Sequence, residues 1–100
     1  MSQNINQGLS FATVTFGQVG TIQNARAFNV VAVTSAVTIS QYVEIGGVQT
    51  LQSEITLPAD QTFEASADGS NLFSDIRITP ASGGTALVST VAGIVTVATP

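Results

Sequence analysis

Ala36–Leu57 reads AVTISQYVEIGGVQTLQSEITL, two runs in which apolar and polar residues alternate on either side of Ile45-Gly46-Gly47. Successive side chains of a β-strand point to opposite faces, so a period of two marks strands, and a glycine pair between them marks a reversal. The length of that turn sets the register. A two-residue Gly46-Gly47 loop puts Ile39 and Val43 with Thr50 and Glu54, and Leu51 and Ile55 with Thr38 and Tyr42. Neither face is then cleanly apolar. A three-residue Ile45-Gly46-Gly47 loop puts Val37, Ile39 and Val43 with Leu51 and Ile55, and leaves Thr38, Ser40, Tyr42, Glu44, Val48, Thr50, Gln52 and Glu54 on the other face. A one-residue slip swaps the faces, so burial selects the three-residue loop. Gly46 and Gly47 are structural turn residues in this reading, with Gly47 at the left-handed position of a bulge.

The same periods continue on both sides. Leu9–Phe16 and Phe28–Thr34 read as strands, the second almost continuously apolar, as in a central strand covered on both faces. Residues 17–27 read as a loop with at most a short strand near Ile22. Gln61–Ala67 and Leu72–Thr79 alternate, the latter with Leu72, Ile76 and Ile78 inward and Phe73, Asp75 and Arg77 outward. Thr85–Val91 and Ile94–Ala98 read as a last hairpin around Ala92-Gly93. The expected core is Val31, Val33, Ile39, Val43, Leu51, Ile55, Phe63, Ile76, Ile78 and Val95. Seven or eight short strands with regular turns and no helix-period stretch predict an all-β fold: one antiparallel sandwich or barrel, Ig-like or jelly-roll-like, over residues 9–100. Residues 1–8 read as a flexible N-terminal arm.

Composition limits function more than it names one. The 100 residues carry two cations, Arg26 and Arg77, and six acids, with no Lys, His, Cys or Trp. An ordinary soluble domain is about one quarter charged. Without His there is no base for a hydrolytic triad, and without His or Cys the usual zinc ligands are missing. Schiff-base chemistry on Lys is excluded. Glu44 and Glu54 share a face in the preferred register, but lie near opposite ends of their hairpin, a poor layout for glycoside hydrolysis. No enzyme activity and no cofactor or metal is expected. Asp68-Gly69-Ser70-Asn71 reads as a β-turn rather than a calcium loop. A net charge of −4 argues against nucleic acid and against an anionic membrane surface. The polar N-terminus lacks the basic and apolar regions of a secretory signal.

An unguarded sheet needs a cover. Monomeric β-proteins protect sheet edges with Lys, Pro or bulges; here Lys is absent and Pro stands at positions 58, 80 and 100 alone. A charge-poor surface also suits an interface, whose core is depleted in charge. The candidate interface comprises Ser2, Gln3, Asn4, Ile5 and Asn6 of the arm, together with Arg26, Tyr42, Phe73 and Arg77. For Arg77, pairing with Asp75 on the same strand face is the default.

The polar leader MSQNINQG, the body of Val, Thr, Ser, Ala and Gly, and the closing run TALVSTVAGIVTVATP resemble, across the whole chain, the small virion proteins of tailed bacteriophages, most closely the head-decoration or cement type. That resemblance implies a structural subunit that binds the major capsid or another virion protein and stabilises the head, a homo-oligomer such as a trimer, and a location in the virion after assembly in the host cytoplasm. The alternative reading is a small β-sandwich binding module for adhesion, carbohydrate or receptor, such as a tail-fibre component. Such a module needs an aromatic platform with amides and acids beside it. Tyr42 and Phe73 are the aromatics on expected outer faces.

Overall fold

The computed structural model describes residues 9–69 and 71–99, Leu9 through its backbone alone. The expectations for Ser2, Gln3, Asn4, Ile5 and Asn6 fall outside the described residues. Nine strands are described: β1 Leu9–Thr15, β2 Val19–Gln23, β3 Ala27–Val33, β4 Val37–Ile45, β5 Val48–Leu57, β6 Thr62–Ser66, β7 Ile76–Pro80, β8 Thr85–Val91 and β9 Ile94–Ala98. They form two antiparallel sheets, β1-β8-β3-β6 and β5-β4-β7-β2-β9, packed as a sandwich. The all-β expectation holds, with one strand more than the upper count.

Consecutive strands change sheet at every connection except β4–β5. Residues 94–98 are therefore not the return arm of a hairpin from β8. Strand β8 pairs with β1 and β3, while β9 pairs with β2 across the sandwich. Ala92 and Gly93 both have positive φ and turn the chain between sheets. Gly93 sits so close to the backbone of Gln23 and Asn24 that a Cβ has no room.

The core lies between the sheets. Strand β3 contributes Phe28, Val30 and Ala32, β8 contributes Ala86 and Val88, and β1 contributes Val14. From the other sheet come Ile22, Val37, Ile39, Leu57, Ile76 and Ile78. Phe63 and Val95 pack against this cluster, half-buried. Val31 and Val33 do not: they lie on the outer face of β3, where no second layer among the described residues covers the sheet. The continuous apolar run of β3 correctly marks a central strand, between β8 and β6. It overstates its burial.

The decisive hairpin differs in an instructive way. Ile45 pairs with Val48, so the turn is the two-residue Gly46-Gly47, with φ of 60° and 82°. Two positive φ values in a two-residue loop belong to a type I′ turn, which matches the twist of its strands. The extra residue sits along the hairpin instead. Gln41 pairs with Ser53 and Tyr42 with Leu51, leaving Gln52 as a bulge. Beyond the bulge Ile39 pairs with Ile55 and Val37 with Leu57, so Val37, Ile39 and Ile55 share a face as expected, two residues out of the expected register. Before it the faces swap, so Leu51 joins Tyr42 on the outside. Leu51 is 47% exposed. Ile55 points inward but lies on the edge strand, where it stays 42% exposed. Val43 is half-buried, because β7 pairs with β4 no further than Gln41 and leaves the hairpin tip overhanging.

Strand β7 starts at Ile76 rather than Leu72, and Asp75 has φ of +57°. The break inverts the expected alternation: Leu72 is exposed, whereas Phe73 turns inward and meets Phe28 edge-on at 5.0 Å.

Candidate interaction surface

The outer face of the four-stranded sheet is built from rows that cross β1, β8, β3 and β6. One row is Phe11, Ser89, Asn29 and Glu64; the next is Thr13, Leu87, Val31 and Thr62. Toward one end Thr15, Thr85 and Val33 continue the pattern, and toward the other Val91, Ala27 and Ser66. Each large apolar side chain has a small or hydroxyl neighbour, so the face is corrugated. A depression of about 480 Å³ lies among Phe11, Thr13, Asn29, Val31, Leu87 and Ser89. A second of about 280 Å³ runs from Phe11 to Glu64 and Val91. Phe11, Leu87 and Val91 are 63%, 45% and 44% exposed.

Charge is scarce on this face. Glu64 is its one acid within the strands, and Asn29 Nδ2 donates to its Oε2 at 3.2 Å. Arg26 is exposed in the connection before β3, and forms no ion pair among the described residues. Its backbone is fixed: its N–H donates to the Val91 carbonyl and its carbonyl accepts from the Ala67 N–H. That places Arg26, exposed, at one end of the apolar face.

The outer face of the five-stranded sheet carries more charge beside its exposed Leu51 and Ile94. Thr96, Thr21, Arg77, Ser40 and Glu54 form one row across β9, β2, β7, β4 and β5. Arg77 Nε and Nη2 donate to both carboxylate oxygens of Asp75, at 3.1 and 3.4 Å. The guanidinium carbon lies 3.9 Å from the centre of the Tyr42 ring. Ser40 Oγ donates to Glu54 Oε2 at 3.0 Å. The default pairing of Arg77 with Asp75 is thus realised.

Of the residues singled out from sequence, Tyr42 and Arg77 are brought together, and Arg26 stands apart at the sandwich end. Phe73 is a correction in its face: its ring packs inward against Phe28 rather than standing on an outer face. Phe11, Leu87 and Val91 were missed. Their signal was a parity conflict: Phe11 alternates with Ala12 and Val14, and Leu87 with Ala86 and Val88, so the smaller residue of each pair takes the tight inner position. Among the described residues no three potential ligands of the His, Cys, Asp or Glu type cluster as for a metal, and no helix is long and apolar enough to cross a membrane. No family model matches the chain, and no curated protein or solved structure matches it.

Proposed function

We propose that the chain is a structural subunit of a larger protein assembly, of the head-decoration kind in a virion, seated on its lattice through the outer face of the four-stranded sheet. The observation that carries this reading is the corrugated, nearly uncharged face around Phe11, Leu87 and Val31. Interface cores are enriched in aromatic side chains and depleted in charge, and the largest exposed apolar patch of a protein is often functional. The partner surface is correspondingly neutral, a mixture of apolar and hydroxyl groups, with a carboxylate opposite Arg26.

Size favours a lattice over a tight one-to-one complex. Four strands spaced about 4.8 Å apart and seven residues of about 3.4 Å give about 450 Å² in projection. A standard interface buries about 800 Å² per partner. A single face of this size binds weakly, and many copies on a repeating lattice gain by multivalency. Long edge strands add to the available surface: β5 runs ten residues, guarded by the Gln52 bulge and Glu54 but by no Lys.

The test is co-sedimentation with capsids assembled from the major capsid protein encoded in the same genome, at low and high salt. Binding that survives high salt is expected, because screening acts on charge and this face has little. A monomer that leaves such capsids in the supernatant under both conditions overturns the proposal.

A further inference from the structure

The sandwich is closed on the side where β1 lies beside β9, and open on the other, where the edge strands β5 and β6 bound a slot between the sheets. The slot has a volume of about 120 Å³. Phe28, Ile39, Ile55, Phe63, Phe73 and Ile76 line it, with Gln41 and Ser53 beside them. A dry cavity of roughly 150 Å³ takes a benzene molecule, so this one has room for a single aliphatic side chain. Its rim carries backbone groups ready to pair. The Gln61 carbonyl accepts from the Ala32 N–H and the Ala67 N–H donates to the Arg26 carbonyl, so the odd positions of β6 bond toward β3. Bonding direction alternates along a strand, and Thr62, Glu64 and Ser66 therefore turn N–H and C=O toward the free edge of their sheet. An extended segment laid along that edge sends every second side chain into the slot.

We propose that the slot receives residues 2–6 of a second copy of this chain, with Ile5 as the inserted side chain. The segment Ser2-Gln3-Asn4-Ile5-Asn6 lies outside the described residues; its sequence supplies one large apolar residue among amides and no acid. The rim favours that composition. Glu54 on β5 and Glu64 on β6 flank the slot, so a second copy offering its own β5 or β6 edge would set like charges against each other. With Ile5 inward, Gln3 turns to the same side as Gln41 and Ser53. Asn4 and Asn6 then fall on the side of Glu64, whose carboxylate already accepts from Asn29 Nδ2. Reach decides which copy supplies the segment. Ile5 precedes Leu9 by four residues, so it lies within about 14 Å of it. Leu9, Val91, Ala27 and Ser66 form one row across the sheet. At about 4.8 Å per strand, a segment added outside β6 is four spacings from β1, about 19 Å. Ile5 of the same copy falls short, whereas that of a neighbour is not so tethered. The giving and receiving surfaces differ, so segments are either exchanged between two copies or passed head to tail around a ring. Both outer faces stay uncovered, and the inference does not rest on the lattice reading.

Sedimentation velocity and nuclear magnetic resonance on the full chain test it. The average mass of the unaltered chain should rise with concentration above that of a monomer. Ile5→Asp, which would put a charge into an apolar slot, should stay monomeric, with an amide spectrum that shows it folded. A peptide of residues 1–8 added to the isotope-labelled Ile5→Asp chain should shift the amides of Glu54, Thr62, Glu64 and Ser66 and leave those of Thr21 and Leu87 in place. The same peptide with Ile5→Ser should bind at least about tenfold more weakly, the worth of one buried aliphatic side chain. An unaltered chain that is monomeric at every concentration, an Ile5→Asp chain that assembles like it, peptide shifts absent or confined to the outer faces, or equal binding by the two peptides would overturn the proposal.

Discussion

The two outer faces of this sandwich rest on one core and differ in almost every other respect. On the five-stranded sheet, Arg77 pairs with Asp75 and stacks on Tyr42, and Ser40 donates to Glu54, so the polar groups are paired with one another, while Leu51 and Ile94 stand exposed beside them. On the four-stranded sheet, Phe11, Leu87 and Val91 stand in solvent beside the half-covered Val31, with the Asn29–Glu64 bond as the polar contact between their strands. A chain with eight charged side chains has thus placed most of its electrostatic pairing on one side. The lesson is that low charge here is not spread evenly. It is concentrated on the face that another molecule can cover.

If the apolar face were covered within the monomer, its residues would behave like the core. They should not. Ile78→Ala opens a cavity between the sheets and should cost about 2–5 kcal/mol, read from a urea denaturation midpoint. Leu87→Ala on the outer face should stay below about 1 kcal/mol, as for surface positions generally. Comparable costs at the two sites would erase the distinction between the faces.

The distance between the sheets is set in part by Gly20. A Cβ there would approach Val14 Cγ2 to 2.6 Å. Val14 is fully buried and stiff about χ1, so it yields poorly. Gly20→Ala should cost about 1–3 kcal/mol through overpacking. A neutral result would mean that the sheets slide freely.

Thr90 sharpens the comparison from the inner side of the four-stranded sheet. It is 1% exposed, and its hydroxyl has no hydrogen-bond partner among the described residues. Thr90→Val removes an unsatisfied buried group and should stabilise the fold by about 1 kcal/mol. Destabilisation would show that the hydroxyl has a partner in solution. On the polar face, Arg77→Met loses the stack on Tyr42 and a partly exposed ion pair, and should cost about 0.5–1 kcal/mol. A larger loss would make that cluster part of the framework rather than of the surface.

Much of the fold was legible in sequence because period-2 alternation and turn glycines are local signals. The β4–β5 pairing, the β3 position at the centre of a sheet and the burial of Ile39, Ile76 and Ile78 all follow from them. What was not legible depends on non-local choices. Whether the extra hairpin residue sits in the turn or at Gln52 leaves Ile39 and Ile55 on one face, but it shifts the pairing by two residues, so that Ile39 meets Ile55 rather than Ser53, and it sends Leu51 outward. Whether Ala92-Gly93 closes a hairpin or crosses between sheets is decided by what β9 can pair with, and that partner is β2, more than seventy positions earlier in the chain. Val31 and Val33 illustrate the same limit at the candidate surface. Sequence shows that a strand is apolar on both faces, but not whether its own chain supplies both covers.

Hydroxyl-radical footprinting of the chain, free and bound to capsids from the same genome, tests the central claim most directly. The method reads Phe11, Leu87 and Val91 on one face and Tyr42, Leu51 and Ile94 on the other in a single experiment. The account predicts that oxidation of Phe11, Leu87 and Val91 falls on binding while that of Tyr42, Leu51 and Ile94 is unchanged. Protection of Tyr42, Leu51 and Ile94 with Phe11 and Leu87 still freely oxidised would contradict it.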